Sequence, residues 1–244
     1  MGIQPVRKAQ LSTTPSRFAM QAAPESTALL LRIQAGLEDV FGKGSIAIVG
    51  GVAMNLNFAV TGQKVDDKSI IRDGGDVDFM LARRLPDSTK VDAYTARALL
   101  EANFKLDGEI IYKVYESDPP AYAGANLSAG MSFEGIKIDL LNNLINVPAH
   151  PVVKRAYTET YGNPGSGIKR LTFATLPFLI ITKCEPSGRI RREEDTDRIR
   201  GILDTYYEGS LATLFEKERA AFRAVSRHIS KDFRQGLFES LQRK

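Results

Sequence analysis

The sequence predicts a chain of two characters: an α/β half followed by an all-helical half. Three observations lead there. Short apolar runs of strand length occur only before about residue 144, and each ends at glycine or carries an acid. Between them lie stretches with apolar residues at helical spacing. From Thr175 onward every periodic stretch has helical spacing.

ESTALLLRIQAGLEDVFG, residues 25–42, places Leu29, Leu30, Ile33, Leu37, Val40 and Phe41 on one helical face, with Ser26 or Thr27 as the cap. Residues 45–49 form a short strand that Gly50 and Gly51 end, and VAMNLNFAV continues as a helix. Residues 62–75 are polar and loop-like. DVDFMLA, residues 76–82, is the next strand; residues 88–104 form a helix capped by Ser88, and residues 109–117 a strand. SFEGIKIDLLNN, residues 132–143, makes one or two strands with a bend at Gly135. Residues 146–170 carry three prolines and three glycines and read as an irregular linker. Helices follow at 175–185, 190–207, 209–222 and 225–242. The expected organisation is a basic disordered tail over 1–24, an α/β domain over 25–145, the linker over 146–170, and a helical domain over 171–244.

Composition narrows the function classes. The chain has 244 residues, 43% of them apolar, and a net charge of +4. That is ordinary for a globular protein and permits an anionic partner without requiring one. The longest apolar stretch, near residues 171–182, is too short to span a bilayer and holds a proline, so no membrane partner is expected. A single cysteine, Cys184, allows no intramolecular disulfide, which suits a reducing, cytoplasmic compartment. Residues 1–24 contain Arg7, Lys8 and Arg17 and no acid. An organellar transit peptide has that composition; a basic tail is the simpler reading. His150, His228 and Cys184 have no zinc-ligand spacing, so no zinc is expected.

The chemistry concentrates in RDGGDVDFM. Residues i and i+2 of a strand share a face, so Asp76 and Asp78 project together. Their repulsion needs an offset, and a divalent cation held by oxygen ligands, Mg²⁺ or Mn²⁺, is the usual one. Asp139 is a third acid in an apolar strand, among Ile136, Ile138, Leu140 and Leu141. If its strand neighbours that of Asp76 and Asp78, three carboxylates converge. They would suit two metal ions about 3.5–4 Å apart, clamping a phosphoryl or nucleotidyl displacement, with Asp139 available as base. Gly50 and Gly51, between a strand and a helix, allow a phosphate close to the backbone and the helix N–H groups.

Strand-Gly-Gly-helix, then DVDFM, then KIDLL resembles the nucleotidyltransferase fold of the DNA polymerase β superfamily, and within it the AbiEii-type group. VGGVAMNL is similar to that group's glycine motif. TLPFLIITKCEPSGRIRREEDTDRIRGIL is similar to its helical motif, with Glu194-Asp195 where the group has Lys-Asp. The resemblance implies a small mixed sheet followed by a helical domain. It implies metal ligation by Asp76, Asp78 and Asp139, and triphosphate contact by Gly50 and Gly51. It implies Lys183 as a phosphate ligand and Asp195 as a second site residue. The implied activity is transfer of a nucleoside monophosphate from an NTP to RNA, protein or a small-molecule hydroxyl. The alternative is a non-catalytic nucleotide- or RNA-binding protein with the same fold.

Other readings compete at single residues. REEDTDR, which holds Asp195, also has the composition of a solvated helix face. Lys64, Lys68 and Arg72 lie in a longer than usual gap between Gly51 and Asp76; they reach phosphates or line a solvated loop. Arg219, Arg223, Arg227 and Lys231 recur every four residues as one basic stripe, either an RNA track or plain helix surface.

Overall fold

The computed structural model describes residues 25–60, 71, 76–82, 105–106, 109–110, 113–115, 126–133, 136–144, 147–161, 169–185 and 187–242. The tail over 1–24, the helix expected at 88–104, Gly135, and Lys64, Lys68 and Arg72 lie outside the described residues.

The chain is mixed α/β. Helix α1 (Glu25–Phe41) leads to strand β1 (Ile46–Ile48), whose three residues are fully buried. Helix α2 (Gly50–Val60) and strand β2 (Asp76–Leu81) follow. Short strands β3 (Lys105–Leu106), β4 (Glu109–Ile110) and β5 (Lys113–Tyr115) precede the long antiparallel pair β6 (Asn126–Phe133) and β7 (Ile136–Leu144). The stretch read as one or two strands is therefore two.

The described residues of the segment read as an irregular linker, 147–161 and 169–170, instead form strands of the sheet and a short helix. The segment carries β8 (Val147–Pro148), helix α3 (Ala149–Arg155) and β9 (Tyr157–Tyr161), then β10 (Lys169–Phe173). Proline and glycine density pointed to a loop, but β8 is only two residues long and α3 follows a proline that needs no N–H donor there. β10 alternates, with Leu171 and Phe173 both fully buried.

The main sheet runs β5-β6-β7-β2-β1-β10-β9, with β8 on β7. β2 pairs with β7 in parallel, as does β1 with β10; the other pairs are antiparallel. Parallel neighbours need crossover connections, which places acids from distant parts of the chain side by side. Two buried amides fasten the β10 side of this seam. Gln34 of α1 accepts from the Thr172 N–H at 2.9 Å. Asn57 of α2 donates to the carbonyls of Ala53 at 2.7 Å and Ala174 at 3.2 Å.

After β10 the described elements are helical: α4 (Leu176–Thr182), α5 (Glu193–Tyr206), α6 (Leu211–Lys217), α7 (Arg219–Ser226) and α8 (Lys231–Gln242). α4 packs on α2, and α7 packs on α3 and α4. One buried apolar cluster runs from Leu30 to Leu237. The expected helices at 209–222 and 225–242 break elsewhere, at Glu218 and over 227–230. The basic stripe breaks with them: Arg219 and Arg223 lie on α7, Arg227 caps its end, and Lys231 opens α8. No helix among the described residues is long and apolar enough to cross a membrane.

Candidate metal centre

Parallel pairing of β2 and β7 sets Asp78 opposite Asp139 and Asp76 opposite Lys137. Both strands alternate about fully buried neighbours, Val77 and Phe79 on β2 and Ile138 and Leu140 on β7. The acids therefore share the other face. One oxygen from each of Asp76, Asp78 and Asp139 lies within 4.8 Å of the others. Asp76 is exposed, Asp78 partly buried and Asp139 buried, so the cluster grades from solvent into the sheet.

Asp78 is the strained member. Among the described residues no donor is placed to hydrogen-bond its carboxylate, and no cation lies within ion-pair distance. Burial, then repulsion from Asp76 and Asp139, pushes its carboxyl up to about 7; the positive charges of Lys183 and Lys137 only partly oppose this. Asp139 has a salt bridge, from Lys137 Nζ to Oδ2 at 3.4 Å.

The glycine pair divides its labour. The Val49 N–H donates to the Asp78 carbonyl at 2.8 Å, locking the end of β1 to β2. Gly50 then turns the chain into α2 with φ of 65°, and a Cβ there would lie 2.2 Å from Asp78 Oδ2. Only glycine meets both demands. Gly51 is exposed, with open space where its Cβ would point. The first turn of α2 thus begins beside the acids with room above it.

Lys183 and Asp195 are brought together. Their charged atoms lie 3.2 Å apart, and both side chains are largely withdrawn from water. Asp195 is 5% exposed, so the solvated-face reading fails for it. Its spacing held the signal: Asp195, Ile199 and Ile202 fall on one helical face, and all three are buried. Glu194, its neighbour, is exposed and pairs with Arg198 at 2.6 Å. Lys183 caps α4, and Arg191 grips the same turn, donating to the Thr182 carbonyl at 2.6 Å. Behind this hairpin, Gly188 and Gly236 allow α8 to approach backbone to backbone.

Sequence reasoning passed over Lys137, although it stands two residues before Asp139 on the same strand face. It also passed over Glu218, which is 7% exposed and accepts from the Tyr157 hydroxyl at 2.5 Å and the Tyr207 hydroxyl at 3.3 Å. Cys184 is buried and its thiol is pushed up to about 12 by that burial, so it is not a nucleophile at neutral pH.

Compared with known families and curated proteins, the sequence matches no family model and no curated protein.

Proposed function

We propose that this chain is a divalent-metal-dependent nucleotidyltransferase, with the polymerase β-type fold and a helical segment beyond residue 171 shaping its cleft. It would move a nucleoside monophosphate from an NTP to a hydroxyl and release pyrophosphate. One observation carries the reading: three carboxylates converge on neighbouring strands, and the central one, the partly buried Asp78, meets two like charges and, among the described residues, no hydrogen-bond donor. Such a group is costly unless a ligand satisfies it.

The residues fit Mg²⁺ or Mn²⁺. All three donors are carboxylate oxygens, the set that hard divalent cations take. Asp76, Asp78 and Asp139 would hold the ion. When bound, it supplies charge neutralisation to the phosphate oxygens and the reacting hydroxyl.

The chain's own groups do the rest. The first turn of α2, bare at Gly51, offers backbone N–H groups to the triphosphate. Lys183 supplies a fixed positive charge for a phosphate oxygen, and Asp195 holds its ammonium in place. Asp139 accepts the proton of the acceptor hydroxyl. The hydroxyl oxygen bonds to the α-phosphorus, the bond to the bridging oxygen breaks, and pyrophosphate leaves with that electron pair. The acceptor is RNA, a protein side chain or a small alcohol.

The test is transfer of α-labelled ATP, GTP, CTP and UTP to total RNA, total protein and a panel of small alcohols, with Mg²⁺ or Mn²⁺. Label that requires intact Asp76 and Asp78 supports the reading. Metal-independent nucleotide binding with no transfer would favour a binding protein instead.

A further inference from the structure

α8 carries Gly236 in its interior, where alanine would make a more stable helix. Packing accounts for the choice. Gly236 and Ser240 are four residues apart and share one face of α8. That face meets the tight hairpin that runs from Lys183 to Arg191. A Cβ at Gly236 would run into the Ser187 carbonyl, and one at Gly188, whose φ is 86°, into the Phe233 carbonyl. One turn beyond Gly236, Ser240 Oγ accepts from the Ile190 N–H at 3.2 Å. Within the hairpin, the Glu185 N–H donates to the Arg189 carbonyl at 2.8 Å and the Arg191 N–H to the Lys183 carbonyl at 3.0 Å. α8 also packs on α5, the helix that bears Asp195. One late helix therefore supports both members of the Lys183–Asp195 pair.

We propose that α8 is the positioning element of the phosphate site: Gly236 and Ser240 fix the hairpin, and through it Lys183, in the place where its ammonium meets a triphosphate. This rests on the reading above, in which Lys183 takes a phosphate oxygen. Gly236 and Ser240 are positioning residues that act through that lysine. A lysine side chain is long and loses much freedom when it binds an anion. Here the hairpin holds its backbone and Asp195 its ammonium, so much of the ordering precedes the ligand. A hairpin shifted by the width of a methyl group would carry Lys183 with it and misplace the charge.

The experiment is calorimetric titration of the full chain with inorganic tripolyphosphate in Mg²⁺ buffer, a probe of the phosphate contacts that involves no base. Wild type is compared with Ser240→Ala, Ser240→Thr, Gly236→Ala, Lys183→Gln and the combined Lys183→Gln, Ser240→Ala variant, and thermal melts confirm that each is folded. Lys183→Gln, which still donates to Asp195, should weaken binding by about tenfold or more. Ser240→Ala should weaken it by about three- to tenfold, and Ser240→Thr, which keeps the hydroxyl, should restore it. Folded Gly236→Ala should bind more weakly than Ser240→Ala; if it does not fold, the Ser240 variants decide alone. In the Lys183→Gln background, Ser240→Ala should add less than about twofold, because its effect passes through the lysine. Wild-type affinity in Ser240→Ala, or an equal loss in both backgrounds, overturns the positioning role and leaves the phosphate site standing. Wild-type affinity in Lys183→Gln, or no tripolyphosphate binding by wild type, overturns the phosphate role of Lys183 and the proposal with it.

Discussion

Glu218 is a buried carboxylate and Asp78 a partly buried one, yet among the described residues only Glu218 is met by donors. Glu218, between α6 and α7, accepts from two tyrosine hydroxyls, one on β9 and one after α5. Asp78, on the interior strand β2 beside the glycine turn, meets two other carboxylates instead. A satisfied buried group belongs to the structure of the protein; an unsatisfied one stores free energy that a ligand releases. Asp195 lies on the Glu218 side of this divide, because Lys183 answers its charge within the protein. The contrast separates an acid answered inside the protein from the acid on which the proposed metal site rests.

The largest effect that would break the contrast is at Asp78 itself. Asp78→Asn should lower labelled transfer by about a thousandfold or more, as loss of a group acting on the transferred phosphoryl does. The same change should stabilise the metal-free protein. The folded carboxyl titrates near 7 and the unfolded one near 3.8. Between those values the folded state holds more protons, so wild-type stability falls as pH rises from about 4 to 7 and is flat above. Metal-free Asp78→Asn should therefore melt later than wild type at pH 8, by on the order of 2–4 kcal/mol. That advantage should shrink toward pH 4. A variant that melts earlier at pH 8 would mean that Asp78 is satisfied.

Glycine substitutions sharpen the comparison next. Gly50→Ala forces a methyl onto Asp78 at a positive φ and should cost about 2–4 kcal/mol in urea melts. Gly51→Ala meets open space and should change stability by less than about 1 kcal/mol, while weakening nucleotide binding if the triphosphate lies over this turn. Equal effects at the two positions would remove the distinction between a structural and a ligand-facing glycine.

The smallest effect is expected at the satisfied acid. Tyr157→Phe removes one donor to Glu218 and should destabilise by about 1–2 kcal/mol, leaving transfer per folded molecule unchanged. A loss of transfer at full folding would bring Glu218 into the site.

Much of the site was legible because strand periodicity is simple. The spacing of Asp76 and Asp78 put them on one face, and the apolar flanks of Asp139 marked it as unusual. The register that sets Asp78 beside Asp139 comes from parallel pairing, which no local pattern encodes. Asp195 was obscured by its charged neighbours, although Ile199 and Ile202 gave its buried face away. Glu218 has the same signature, at helical spacing from Leu211, Leu214, Ala221 and Val225, all buried. The strands in 147–173 were missed because prolines and glycines outweighed the short alternation of β10. The breaks at Glu218 and Ser230 carry no glycine or proline, so charge periodicity ran through them unnoticed.

β1, which leads into the glycine turn, is flanked by β2 on one side and by β10 on the other. Its second neighbour comes much later in the chain; the amide of Asn57, just beyond the turn, reaches a carbonyl 117 residues away. During synthesis, then, the strands bearing all three acids leave the ribosome while one edge of β1 still lacks its partner. Open edges invite pairing with other chains, and contacts of long sequence separation form slowly. The acids can be brought together early, but the turn that abuts them is secured only after Phe173 has emerged. A chain truncated before β10 would expose that edge permanently and would aggregate more readily than the full chain.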